Sequence, residues 1–162
     1  MPQKYLATYL NDHLAGAVAA IELLQDLIDA QADSGATSFF TQLKSDIEAD
    51  QQELKALIER LGISESAPRK AAAWVAGKMA QLKSTLDDRS TGPLWRLEAL
   101  EALVLGINGK KALWHGLAAA RETTVELRDL DYDRLSERAE DQRRRAERAR
   151  LEAAREALGS TN

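Results

Sequence analysis

Residues Leu94 to Ala120, LWRLEALEALVLGINGKKALWHGLAAA, are the longest strongly apolar stretch of the chain, and they restrict the folds open to it more than any other feature. On a helix of 3.6 residues per turn, Leu100, Leu103, Ile107, Trp114 and Leu117 gather on one broad side. Glu98, Glu101, Asn108 and His115 gather on the other, with Leu94 and Leu105 among them. A helix that is apolar nearly all round is usually enclosed by neighbours, so the spacing predicts the central member of a helical bundle. The polar stripe is then either a solvated edge or a buried polar site, and periodicity alone leaves both open.

The preceding chain supplies partners for such a helix. A first helix is predicted from Pro2, suited to a first turn, to about Ala32. Leu6, Leu10, Ala17, Ala20, Leu24 and Leu27 form its stripe, with His13 pointing inward one heptad after Leu6. A turn at Asp33-Ser34-Gly35 leads to a second helix from about Ser38 to Leu61, with Thr37 or Ser38 as its cap and Gly62 as its stop. Asp50 falls within its apolar arc, and Asp46 and Glu53 lie on the edge. A third helix is expected from Pro68 to Leu86, with Ala72, Val75, Met79 and Leu82 on one face. The segment from Asp87 to Pro93 breaks the chain, and Thr91 is placed to cap the central helix. Short connections make neighbouring helices antiparallel. The expected fold is all-α, an antiparallel up-down four-helix bundle over residues 1–120.

After Gly116 neither glycine nor proline occurs until Gly159, so the fourth helix is free to continue beyond Ala120, straight or kinked, as a charged extension over residues 121–158. Residues 159–162 are expected to be a disordered tail. From Glu137 to Glu156 seven arginines face six acids, with Glu140/Arg144, Asp141/Arg145 and Arg148/Glu152 spaced as i,i+4 pairs. Tyr132, Leu135, Ala139, Ala146, Ala149 and Ala153, interrupted by Gln142, are spaced as a thin coiled-coil seam. That pattern suits a protruding or partner-bound helix, or one that frays in solution.

Composition removes several classes of function. The 162 residues include no cysteine, which excludes disulfide scaffolds, thiolate metal sites and cysteine nucleophiles. A net charge of −4, from 26 acidic and 22 basic residues, argues against a nucleic-acid surface over the whole body. The arginines around 143–150 are nearly neutralised by interleaved acids and have no aromatic platform beside them. No run of about 18 uncharged apolar residues is present, and the start lacks the pattern of an export signal, so a soluble cytoplasmic protein is expected. Phosphate-binding loops, nucleophile elbows and zincin motifs are missing, and no small-molecule substrate is indicated.

Two antiparallel helical hairpins with acids on the inner faces and two histidines resemble the ferritin-like bundles over about residues 3–120. The resemblance implies a carboxylate and histidine site for iron or manganese, drawn from His13, Asp50, Glu53, Glu101 and His115. The sequence departs from that pattern: it contains no Glu-x-x-His motif, and residues 68–86 hold no acid. With the hairpin turn near Gly35, His13 and Asp50 also fall on the order of 12 Å apart along the bundle axis. The bland readings are a core histidine, an Asp50 that snorkels or pairs with Lys or Arg, and a water-facing Glu101 and His115.

The expectation is therefore a non-catalytic bundle with no cofactor, acting through a protein partner or as a homodimer; the alternative is an incomplete iron or manganese protein. Contact residues are expected at Leu100, Leu103, Ile107 and Trp114 on the central helix and at Tyr132 and Leu135 beyond it. If the core uses the other side of the central helix, its apolar face needs cover from a second subunit, burying Trp95 or Trp114, or from the chain's own C-terminal segment.

Overall fold

The computed structural model describes residues 2–30, 35–65, 77 and 92–159. Among these the chain forms four α-helices and no strand: α1 (Pro2–Ala30), α2 (Ala36–Arg60), α3 (Pro93–Ala120) and α4 (Tyr132–Leu158), with a 3-10 turn at Val125–Leu127. The helix expected over 68–86 and the break at 87–91 lie outside the described residues. No described helix is long and apolar enough to cross a membrane.

Local chemistry explains most of the helix ends. At the end of α2, Gly62 takes φ +62°, the left-handed conformation open to glycine at least cost. Gly62 N–H donates to Glu59 O at 2.9 Å and Ile63 N–H to Ile58 O at 3.1 Å, the double closure of a Schellman motif. Pro93 opens α3 after Gly92, which occupies the cap position expected of Thr91. Gly35 occupies the position before α2, with a backbone already in the helical region, and neither Thr37 nor Ser38 is the cap. Asn108-Gly109 lies inside the uninterrupted α3.

The largest correction concerns the C-terminal segment. The central helix ends at Ala120, the chain reverses through residues 121–131, and α4 returns to make, with α3, the most extensive interhelical contact among the described residues. Asp131 caps α4 by accepting from the Arg134 N–H at 3.0 Å. Tyr132 Oη donates to Leu127 O at 2.8 Å in the interior and fastens the turn to the first residue of α4. Two arginine bonds brace the outside, from Arg128 to Arg121 O at 3.1 Å and to Glu122 O at 3.2 Å.

Among the described residues, two apolar clusters, each drawing on α1, α2, α3 and α4, make the core. One joins Leu23, Leu24 and Leu27 of α1 to Phe40, Leu43 and Ile47 of α2, Trp95 to Ile107 of α3, and Ala146, Ala149 and Ala153 of α4. The other joins Leu10 and Leu14 to Leu54, Leu57, Ile58, Leu113, Trp114, Leu117, Tyr132, Leu135 and Ala139. Each fully enclosed leucine contributes about 1.5 to 3 kcal/mol.

The expected contact residues are therefore core residues. Leu100, Leu103, Ile107, Trp114, Tyr132 and Leu135 are all buried within one chain, as is Trp95. Because α4 covers the apolar face of α3, that face needs no second subunit. The α4 seam read from the sequence is the buried one, with Gln142 enclosed in its middle. On the opposite side of α3, Glu98, Glu101, Asn108 and His115 are exposed alongside Leu94 and Leu105, so the polar stripe is a solvated edge.

Candidate functional site

Between the two clusters lies a polar layer. Asp50 follows Ile47 and precedes Leu54 on α2, Lys110 lies between Ile107 and Leu113 on α3, and Gln142 lies between Ala139 and Ala146 on α4. Helical spacing turns all three side chains to the same interior level. Asp50 and Gln142 are each 1 % exposed. An isolated carboxylate at such a place would be very costly, so its partners decide its chemistry.

Those partners close a ring. Lys110 Nζ donates to Asp50 Oδ2 at 2.6 Å and also to Gln142 Oε1. Gln142 Nε2 in turn donates to Asp50 Oδ2 at 2.9 Å. The second carboxylate oxygen faces Arg138, whose Nη2 is 2.8 Å away, an ion-pair approach out of line for a hydrogen bond. Burial pushes the Lys110 ammonium below its ordinary value of 10.5, while the adjacent Asp50 carboxylate works to keep it charged.

Further ion pairs extend the ring along the helices. Arg145 reaches Asp46 at 2.5 Å, and Arg134 reaches Glu53 at 2.9 Å, so both edge acids of α2 are held by α4. Lys111 on α3 meets Glu140 at 2.8 Å. Arg143 grips the same carboxylate, and the two cations, Arg143 above all, hold Glu140 down at about 2. Arg150 bonds Glu101 at 3.3 Å, and Arg96 bonds Glu156 at 3.1 Å. Of the i,i+4 pairs expected on α4, Asp141–Arg145 forms at 2.8 Å, whereas Glu140 turns to Arg143 and Lys111 instead of Arg144.

The residues proposed as metal ligands do not converge. Asp50 and Glu53 are taken by cations of α3 and α4, Glu101 is bonded to Arg150 on the surface, and His115 is exposed. His13 is partly buried and meets Tyr9 edge-on, with ring centroids 4.6 Å apart. Burial pushes its imidazole below 6.5, against a smaller opposing pull from Asp12. Among the described residues no group of three or more such side chains is arranged to hold a metal ion.

Lys110, Arg138 and Gln142 were not singled out as site residues from sequence, although a signal was available. Asp46, Asp50 and Glu53 form an acidic ladder on α2, and Arg134, Arg138 and Arg145 form a basic ladder in reverse order on α4. Chemically, a carboxylate held by an ammonium, a guanidinium and an amide is neither a free base nor an open ligand. Comparison with protein-family models, with curated proteins and with solved structures finds no match for this chain.

Proposed function

We propose that the protein is a non-catalytic helical bundle that acts through protein-protein contacts. In this reading the four helices form an antiparallel bundle in which α1 and α4 run one way and α2 and α3 the other. What supports it is the order of residues through the two core clusters: late α1, early α2, early α3 and late α4 share one, and the opposite ends share the other. Such a path requires one long connection between α2 and α3, as in the ferritin-like bundles, with the C-terminal helix as the fourth member.

The observation that carries the functional reading is the occupation of Asp50. Bundle proteins that handle metals place carboxylates and imidazoles on facing helices around the ion. Here the interior carboxylate faces Lys110, so the positive charge at the centre of the layer belongs to the protein itself. The layer then serves to fix helix register, the best-attested use of a buried polar group.

Elemental analysis of the purified protein, followed by Fe(II) and Mn(II) titration, tests the reading. No stoichiometric metal and no ferroxidase signal are expected. Stoichiometric metal that disappears in Asp50→Asn, Glu101→Ala or His115→Ala would overturn it in favour of an incomplete iron or manganese site.

A further inference from the structure

The outward side of α4 divides by charge. Asp133, Glu137 and Asp141 lie along the outer ridge of its first half, and Arg144, Arg148 and Arg155 along that of its second, all exposed and opposite the buried seam. Leu151, 42 % exposed, and Leu158, 70 % exposed, stand in the same row among the arginines. Steps of three and four residues make this a single continuous ridge.

The other arginines of α4 are already engaged. Arg143 is held by Glu140, Arg145 by Asp46 and Asp141, and Arg150 by Glu147 and Glu101. Among the described residues no ion pair engages Asp133, Glu137, Arg144, Arg148 or Arg155. The nearly neutral arginine-rich stretch thus separates into an inner set of satisfied charges and an outer ridge with ends of opposite sign, the exposed Glu152 lying on the flank of the basic end. The helix dipole favours that order of signs within each copy.

We propose that this ridge is a self-association surface, on which two copies lay their α4 helices together antiparallel. The proposal rests on the reading that the protein works through protein contacts, and it names the partner as a second copy of the chain. Charge complementarity selects that occupant. A polyanion would be repelled by the Asp133 and Glu137 end, and a wholly acidic peptide would match only the arginine end. A second copy turned by a twofold axis matches both ends at once, through one self-complementary patch. Leu151 and Leu158 leave water in the same contact. Exposed ion pairs are individually weak and screened by salt, so the association is weak and salt-sensitive.

Sedimentation velocity on the full chain, at low salt and at about 0.5 M salt, reads the association directly. The wild type is expected to dimerise at low salt, with at least tenfold weaker association at high salt. R148E/R155E, acidic at both ends, and D133K/E137K, basic at both ends, are each expected to be monomeric, and an equal mixture of the two is expected to dimerise. Far-UV circular dichroism reports whether each variant folds, and R148Q/R155Q replaces the first if it does not, with weakened dimerisation expected. A wild type that stays monomeric at high protein concentration and low salt overturns this surface, as do variants that dimerise like the wild type. Neither result touches the non-catalytic reading, which falls only to a bound metal.

Discussion

Lys110 Nζ approaches Asp50 Oδ2 to 2.6 Å where α2, α3 and α4 meet, and Gln142 bonds both partners. The energetic value of such an arrangement is asymmetric. Assembling a buried ion pair gains little over apolar packing, whereas removing one partner strands the other in a medium that solvates it poorly. Asp50→Leu leaves the Lys110 ammonium beside Arg138 and is expected to destabilise the protein by about 3 to 5 kcal/mol. Lys110→Met is expected to cost less, because Arg138 still faces the carboxylate. The double variant should recover most of the loss, as urea denaturation of all four proteins would show.

The reversal between α3 and α4 depends on a buried phenol. Tyr132→Phe keeps the ring but removes the 2.8 Å bond to Leu127 O, leaving that carbonyl unsatisfied in the interior. The expected loss is about 1 to 3 kcal/mol. Native-state hydrogen exchange should show faster opening over residues 121–135, with the first half of α2 unaffected.

Small residues on α4 are required by close packing. Ala146 has no exposed surface and shares a cluster with Trp95, Leu100, Leu103 and Ile107. Ala146→Leu is expected to overpack the site and cost about 1 to 3 kcal/mol, read as a lower thermal midpoint. Arg144→Leu, two residues away on the exposed ridge, should leave monomer stability within about 0.5 kcal/mol of the wild type.

Glu140 provides a pH-dependent test. Its carboxyl is held at about 2, first by hydrogen bonding to Arg143 and then by Lys111. Because the folded value lies below the ordinary 4.5, the group's contribution to stability is complete above about 4.5 and is lost as pH falls through about 2. A carboxyl NMR titration should place its midpoint near 2, and Arg143→Ala should raise that midpoint more than Lys111→Ala.

Periodicity carried the helices well, because apolar stripes repeat locally. The buried side of α4, Tyr132 to Ala153, was legible residue by residue, and so was the apolar face of α3. Their meeting was not legible, since the reversal at 121–131 contains neither glycine nor proline and depends on Asp131, Arg128 and Tyr132 bonding to backbone groups. Leu100, Leu103 and Trp114 are covered by the chain's own C-terminal helix, one of the two covers the sequence leaves open for that face. For Asp50 a basic partner is one of the options the sequence leaves open; the matched acidic and basic ladders of α2 and α4 point to Arg138, whereas Lys110 is identified only by the folded arrangement.

The polar layer and the outer ridge both depend on α4 folding back along α3. Spin labels at Glu101 and Arg150, whose side chains bond at 3.3 Å, would measure this directly by pulsed electron-electron double resonance. A narrow distribution below about 25 Å is expected, allowing for adjacent helices about 10 Å apart and the reach of two labels. A helix continuing straight from α3 would instead separate the sites by about 70 Å at 1.5 Å per residue, and a distribution centred at such long distances would contradict it.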